Sequence, residues 1–352
     1  MEYKPLLRSL VPGDLSGLVT TAGLPSYRSN QLAEWLFVQG VFTWEEMTNL
    51  PLSMRLDLAD RFDLVGLDLV ERQVSRDGTR KFLFRLRDGA TVESVTIPMG
   101  EHVTFCISTQ VGCAMACRFC ATARGGLVRN LEAGEILEQV LHLRADIQAE
   151  PPPGSGDRQF NVVYMGMGEP LDNWEEVQSS LIMMMDERGL AMSGRRIQIS
   201  TSGPGEGLRK LVAARPGVGL TLSLGGSTDE ERRAVMPVPG RTSITEALEL
   251  TVRYARGTRR RATVAWVLIA GSTDEAGQAE RLASLLRGKP IKVNLIPMNP
   301  LDDADLVPPD ENGIQAFRKI LTDAGVDTYL RTSGGRDIAA ACGQLRRRRL
   351  KS

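Results

Sequence analysis

Phe105-Cys106-Ile107-Ser108-Thr109-Gln110-Val111-Gly112-Cys113-Ala114-Met115-Ala116-Cys117-Arg118-Phe119-Cys120 holds four of the chain's five cysteines. Cys113, Cys117 and Cys120 follow an apolar run and are spaced C-x3-C-x2-C. Three thiolates at this spacing can each hold one iron of a [4Fe–4S] cube and leave the fourth iron open to a ligand. A structural zinc site closes with four ligands, usually from a second C-x2-C or Cys/His pair. No second pair exists, and the only histidines are His102 and His142, so the donor set favours iron and sulfide over zinc. Core cysteines at a chance spacing are the third reading.

Downstream of this stretch, apolar strand-like runs alternate with helical periodicity. The runs cover 103–108, 161–165, 196–201, 218–224, 262–270, 291–296 and 326–331. Helical patterns at 131–148, 174–187, 205–214, 242–256, 275–287 and 310–324 separate them. This repeated βα rhythm predicts an α/β fold: a parallel sheet with covering helices, closer to a partial (βα) barrel than to a full eight-fold one. Upstream, residues 1–62 read as helical, with Leu32, Trp35 and Leu36 on one stripe and Leu52, Leu56 and Ala59 on another. Pro51 suits the first turn of the second helix. From 69 to 97 the period changes to two, and Asp77-Gly78 and Asp88-Gly89 punctuate a three-stranded antiparallel meander. The expected division is a helical accessory domain (1–66), an antiparallel β extension (67–98), a core (99–345) and a basic tail (346–352). Pro151-Pro152-Pro153-Gly154-Ser155-Gly156 reads as a surface loop within the core.

In parallel barrels the chemistry gathers at the carboxyl ends of the strands. There the chain puts the cysteine loop, Gly166-Met167-Gly168-Glu169-Pro170, Ser200-Thr201-Ser202-Gly203, Ser223-Leu224-Gly225-Gly226, Pro297-Met298-Asn299-Pro300 and Thr332-Ser333-Gly334-Gly335-Arg336. Glu169 could hold an amine on a tight turn, the serines could meet hydroxyl or carboxylate groups, and Asn299 is held between prolines. Taken singly, each is an ordinary turn or cap residue; their gathering on one rim argues for a single site. Cys342 follows the last run and can return to the same rim. Cys106 and Cys342 are core cysteines on one reading, and a redox pair or a nucleophile and its resolver on another.

The 352 residues are 42% hydrophobic and 24% charged, enough for one large domain plus a small one. With 43 basic and 43 acidic residues the net charge is zero, which neither favours nor excludes a nucleic-acid partner. Basic residues cluster locally at Arg256, Arg259, Arg260 and Arg261 and in the tail Arg346-Arg347-Arg348-Arg349-Leu350-Lys351; each reads as a solvated face or as a phosphate contact. The cysteine usage fits a reducing compartment. No signal-peptide pattern and no membrane-length apolar run occur, so a cytoplasmic protein without membrane contact is expected.

Cys113-x3-Cys117-x2-Cys120 resembles the signature of radical S-adenosylmethionine (SAM) enzymes. A narrower resemblance, to the RlmN/Cfr family, rests on Cys106-Ile107-Ser108-Thr109-Gln110-Val111-Gly112-Cys113, Gly166-Met167-Gly168-Glu169-Pro170, Ser200-Thr201-Ser202-Gly203, Asn294-Leu295-Ile296-Pro297 and Asp337-Ile338-Ala339-Ala340-Ala341-Cys342-Gly343-Gln344-Leu345. It runs from about Ser26 to Leu345. Members methylate adenine carbons in RNA, in the peptidyl transferase centre of 23S rRNA and, for some, beside the anticodon of tRNA. The resemblance implies a radical SAM partial barrel with Cys113, Cys117 and Cys120 on one [4Fe–4S] cluster whose open iron chelates SAM. Gly168, Glu169, Ser200, Ser223, Leu224, Gly225 and Asn299 would hold SAM, two molecules of which are used per turnover. One methylates Cys342; the other yields a 5′-deoxyadenosyl radical that activates the S-methyl group for addition to the adenine. Glu93 would accept the adenine proton, and Cys106 would release the product, leaving a transient disulfide. A flavodoxin or ferredoxin would supply electrons to a monomer.

The chain departs from the family's usual pattern at three places. Gly225 stands where His is usual, Ala265-Trp266 where an acidic residue precedes an aromatic, and Met298 where an aromatic is frequent. These suggest a divergent member. The competing expectations are a radical SAM enzyme acting on a peptide or small molecule, and a zinc-stabilised RNA-binding protein without catalysis.

Overall fold

The computed structural model describes residues 3–152, 159–237, 242–301 and 306–348. Pro153, Gly154, Ser155 and Gly156 of the loop, and Arg349, Leu350 and Lys351 of the tail, lie outside the described residues.

The N-terminal part is helical: α1 (Pro12–Thr21), α2 (Tyr27–Ala33) and α3 (Leu52–Arg61). α2 runs on into a π-helical turn, Glu34–Gln39, which stops at Gly40 in the left-handed conformation (φ 67°). The wider turn lets Leu36 and Phe37 both reach the core. In α3 the expected stripe is wrong. Leu52 and Leu56 are 63% and 62% exposed, whereas Met54 and Leu58 are 6% and 2% exposed. Both pairs have i, i+4 spacing, so periodicity could not choose between them; packing against the body of the protein does. Pro51 caps this helix instead of lying in its first turn.

One ten-stranded sheet follows, its strands in chain order apart from a two-stranded ribbon. β1 (Leu67–Val74), β2 (Arg80–Leu86), β3 (Thr91–Met99) and β4 (His102–Cys106) are antiparallel neighbours. The Asp77-Gly78 and Asp88-Gly89 turns join the first three, with both glycines at positive φ. The sequence then forms β5 (Gln110–Gly112), α4 (Ala121–Arg124) and β6 (Leu127–Asn130), with β5 and β6 making the separate ribbon. After α5 (Ala133–Ala149) come β7 (Phe160–Tyr164), α6 (Trp174–Met185), β8 (Ile197–Thr201), α7 (Gly205–Ala214) and β9 (Gly219–Ser223). The chain continues through α8 (Asp229–Val235), α9 (Ile244–Thr258), β10 (Ala262–Leu268), α10 (Ala276–Leu286), β11 (Ile291–Pro297), α11 (Glu311–Asp323) and β12 (Thr328–Leu330).

β4, β7, β8, β9, β10, β11 and β12 are mutually parallel, one for each apolar run of the sequence. The fold is a partial βα barrel whose sheet is extended by three antiparallel strands. The core lies between this sheet and its helices. In α5 Ile136, Leu137, Val140 and Leu143 are fully buried, each stabilising by roughly 1.5–3 kcal/mol. The ribbon and α8 had no strong periodic signal: β5 and β6 have three and four residues, and α8 seven.

Candidate active site

The site begins on one face of the antiparallel strands. Leu83 pairs with Glu93 and Lys81 with Val95, while Val95 also pairs with Cys106. Side chains alternate along a strand, so Lys81, Glu93, Val95 and Cys106 share a face. The opposite face carries the aromatic side chains, with Arg80, Ser94 and Thr96 also on it. Phe82 stacks with Phe84, which in turn meets His142 of α5. Glu93 and Lys81 are buried, at 1% and 3% exposed.

The cysteine loop hangs from the ribbon. Gly112 (φ 82°) ends β5, and a Cβ there would lie 1.9 Å from the Gly126 carbonyl oxygen. Only glycine lets the two ribs close around the loop. Cys113 is buried, Cys117 and Cys120 half-buried. The Met115 N–H points at Cys113 Sγ (3.5 Å), and the Cys120 N–H donates to the Cys117 carbonyl (3.1 Å). Burial pushes the Cys113 thiol up, and Glu169, Cys120 and Cys117 act in the same direction. Three thiols from one loop, with an amide aimed at sulfur, suit a cluster whose irons each take one cysteine. Among the described residues, no three Cys, His, Asp or Glu side chains converge on a single ion.

Gly168 (φ 103°) lies against Gln110, whose Oε1 accepts from the Glu169 N–H (2.8 Å). Glu169 is 3% exposed. Its carboxylate accepts from Thr201 Oγ1 (2.6 Å), from the Ser202 N–H (2.7 Å) and Oγ (2.8 Å), and from the Leu171 N–H (3.1 Å). All four donors are uncharged, and burial outweighs them, raising the carboxyl's pKa. A cationic amine would relieve that cost. Ser200 and Ser223 are half-buried at the carboxyl ends of β8 and β9, and Leu224 is buried after β9. Asn299 follows β11; its Nδ2 donates to Ser333 Oγ (3.0 Å) and to the Cys342 carbonyl (3.1 Å). Its Oδ1 is buried without a hydrogen-bond partner, an acceptor left over for a ligand.

Cys342 returns to this place through a loop clamped by the first β turn. Ser75 Oγ donates to Asp337 Oδ1 (2.5 Å), and the Gly335 N–H donates to Asp77 Oδ2 (2.8 Å). The Ala121 N–H donates to the Gly343 carbonyl (2.7 Å), so this loop also touches the end of the cysteine loop. Burial pushes the Cys342 thiol up, offset in part by a hydrogen bond with Ser333, while neighbouring Cys120 pushes it further. The side chain nonetheless remains exposed. Burial also pushes the Cys106 thiol up, and the neighbouring Cys342 adds to it. No cysteine is in a disulfide.

The described part of the tail is not a frayed end. Arg346 N–H donates to Glu93 Oε2 (2.9 Å), and Arg348 Nε lies 3.2 Å from Glu93 Oε1. Arg348 also pairs with Glu71 (2.8 Å), and its N–H donates to Thr91 Oγ1 (2.9 Å). Residues 346–348 thus lie across the face that carries Glu93.

The model of the radical SAM superfamily matches residues 107–283. A probable dual-specificity RNA methyltransferase RlmN from a Thermotoga species is 42% identical over 340 residues, covering 96% of both chains. The dual-specificity RNA methyltransferase RlmN of a Nitratiruptor species is 40% identical, covering 92% of this chain and 93% of its own. This chain belongs to the RlmN family of radical SAM methyltransferases. The crystal structure of a radical SAM methyltransferase from Sphaerobacter thermophilus is similar throughout, with TM-score 0.91, 38% identity, and 97% and 99% coverage.

Against the RlmN-family pattern, two of the three departures share one spot. Gly225 has φ 72°, and a Cβ there would meet Met236 Sδ at 2.3 Å. Met236 packs with Val235, Ile269 and Met298 in a small apolar cluster that touches Cys117 and Phe119. Met236 and Val235 therefore fill the space beside Gly225, and Met298 joins them in the same cluster. Ala265 pairs with Ser223 across β9 and β10, and its carbonyl accepts from the Leu224 N–H (3.2 Å).

The structure places Cys106 beside Cys342, Cys342 beside Cys120, and Cys113 beside Glu169, Cys117 and Cys120, with Glu93 on the same strand face as Cys106. Sequence reasoning missed Lys81, Arg348, Gln110 and Thr201. Lys81 carried a weak signal, a charge directly before the apolar run Phe82-Leu83-Phe84, next to Arg80, which is buried as well. Arg348 carried none beyond its place in a basic run. No helix among the described residues is long and apolar enough to cross a membrane.

Proposed function

We propose that this chain moves a methyl group from SAM to C2 or C8 of an adenine in RNA, with Cys342 carrying it as S-methylcysteine. The substrate class is 23S rRNA, with tRNA as the second target, in keeping with relatives named as dual-specificity RNA methyltransferases. The observation that carries the reading is the shared face. Glu93 and Cys106 lie on it, and the Cys342 loop reaches both it and the cysteine loop.

In this reading Cys113, Cys117 and Cys120 hold one [4Fe–4S] cluster, leaving one iron open to SAM. The cluster would supply the electron that cleaves SAM, fed by a flavodoxin or ferredoxin in the cytoplasm to a monomeric enzyme. Glu169, desolvated among uncharged donors, takes the SAM amine, and Gly168 and Gly225 allow close backbone approach. Ser200, Ser223 and Leu224 line the ligand, and Asn299 Oδ1 meets a polar edge of it. Cys342, which is exposed, presents its methyl group to the base. Glu93 takes the adenine proton. Cys106 then attacks the Cys342 sulfur: an S–S bond forms, the S–C bond breaks with its electron pair going to the methylene carbon, which takes a proton to become the methyl group, and the unpaired electron would return to the cluster as the methylated base leaves. Two SAM molecules are used, and external electrons reopen the disulfide. The extruded base that this requires fits loops in RNA.

The test is anaerobic reconstitution with iron and sulfide, then incubation with SAM, reductant and ribosomal or transfer RNA. Nucleoside mass spectrometry should find a methyladenosine, and Cys342→Ala should abolish it while keeping the cluster's absorbance. A methyladenosine made equally well by Cys342→Ala would sink the methyl-carrier role. A colourless protein with one bound zinc would sink the radical reading.

A further inference from the structure

The face that holds Glu93 contains a buried charge that the reaction as written does not use. Lys81 lies on β2, two residue pairs from Glu93 and on the same face, and its side chain is 4% exposed. Its Nζ lies 3.5 Å from Glu93 Oε1 and donates to the Ala339 carbonyl at 3.3 Å. Ala339 has a positive φ of 50° and lies three residues before Cys342. One ammonium thus touches both the carboxylate and the backbone of the Cys342 loop.

Burying a lysine is costly, and an apolar side chain would fill the same space without that cost. Desolvation lowers the pKa of Lys81, while Glu93 acts against it. The two Glu93 oxygens differ. Oε2 accepts the Arg346 N–H, whereas Oε1 is buried without an aligned hydrogen bond, although Lys81 and Arg348 flank it. Oε1 thus keeps a lone pair uncommitted. Arg348 divides its guanidinium between Glu93 and Glu71. Lys81, from the middle of a paired strand, is the group that reaches both the base and the methyl-bearing loop.

We propose that Lys81 is a positioning residue of this reaction, joining the Glu93 carboxylate to the loop that carries Cys342. The inference rests on the reading of Glu93 as proton acceptor and Cys342 as methyl carrier. In the step concerned, the adenine carbon is already bonded to the methylene on Cys342 sulfur. The ring C–H proton passes to Glu93 Oε1, and the electron pair of that bond stays in the ring. The distance from Oε1 to that carbon depends on how the loop sits relative to β3, which Lys81 fixes. Displacement of a catalytic group by about 1 Å can cost on the order of 100-fold.

The experiment uses Lys81→Met and Lys81→Arg in the reconstituted holoprotein. Three quantities are read: methylation of Cys342 without RNA, by intact mass; methyladenosine formation; and RNA covalently joined to protein on a denaturing gel. For Lys81→Met, Cys342 methylation should stay within about twofold of the parent while methyladenosine falls at least about tenfold and joined RNA accumulates. Lys81→Arg should recover part of the methyladenosine. Unchanged methyladenosine in Lys81→Met overturns the proposal. So does an equal fall in Cys342 methylation and methyladenosine without joined RNA, which marks a structural role only. Glu93→Gln is run alongside. If it makes methyladenosine normally, the proton-acceptor reading fails; if it does not while Lys81→Met does, only the role of Lys81 fails.

Discussion

Gly225 and Met236 show how a departure at one residue is answered at another. The space beside Gly225 is filled by Met236, whose Sδ would lie 2.3 Å from an added Cβ. Restoring a side chain there strains a positive-φ backbone and overpacks the cluster. Gly225→His should therefore destabilise the fold by about 2 kcal/mol, read as a lower urea midpoint at unchanged slope. Met236→Ala in the same chain should return part of that loss, because the two positions share one volume. Additive losses would mean that they do not. The same cluster touches Cys117 and Phe119, so the substitution should also alter the surroundings of the cysteine loop.

At the scale of elements, the β1–β2 turn does more than connect strands. Asp77 accepts from the Gly335 N–H and, at 2.9 Å, from the Thr79 N–H, tying the turn to the loop of Cys342. Desolvation works to raise the Asp77 pKa, but hydrogen bonds from Thr79, Gly335 and Ser75 outweigh it and hold the carboxyl down to about 2. A depressed carboxyl stabilises the fold above its ordinary value near 4 and loses that contribution as pH falls through about 2. Amide-exchange protection at Gly335, corrected for intrinsic rate, should stay level from about pH 7 to about 4. Asp77→Ala should raise exchange across residues 333–344 and slow Cys342 methylation severalfold, leaving exchange in α5 unchanged. Equal exchange in parent and variant would show that the clamp does not hold the loop.

Elements of this kind were only partly legible in the chain. The seven parallel strands were readable because each falls on a strand-like run of at least five residues, even β12, which is itself three residues long and sits in the run 326–331. The Asp-Gly turns marked the meander by chemistry. The cysteine loop announced its three thiols but not the ribbon beneath it, because Gln110-Val111-Gly112 is too short to have a period. The α3 stripe misled because two i, i+4 pairs compete on one helix. The contact of Arg348 with Glu93 joins the end of the chain to its first third, and nothing local encodes it.

On the scale of the whole molecule, the helical N-terminal part and the sheet are joined around a buried polar knot. Arg8 reaches Glu138 of α5 (3.4 Å), and Glu138 accepts from the Gly66 and Leu67 N–H groups. Beside it His142 stacks on Phe42 at 4.4 Å, with Nε2 buried and unpartnered. Burial, and secondarily Arg8, lower its pKa to about 4. The unfolded chain takes up this proton near pH 6.5 but the folded one only near 4, so stability falls as pH drops through that window. The contribution is on the order of 1–3 kcal/mol. His142→Leu should flatten the acid limb of the urea midpoint between about pH 6.5 and about 4 relative to the parent, with Arg8, Glu138 and Asp68 unchanged around it. Parallel acid limbs would assign the loss to other groups.

The residues 346–348 that close over Glu93 are the last described part of a chain made from the other end. Strands β1 to β4, the cysteine loop and most of the barrel leave the ribosome before them. Chain order thus imposes a time order: the cysteine loop is accessible to iron and sulfide while the Cys342 loop and its cover are still being made. Among the described residues, the segment over Glu93 is therefore made after the cysteine loop.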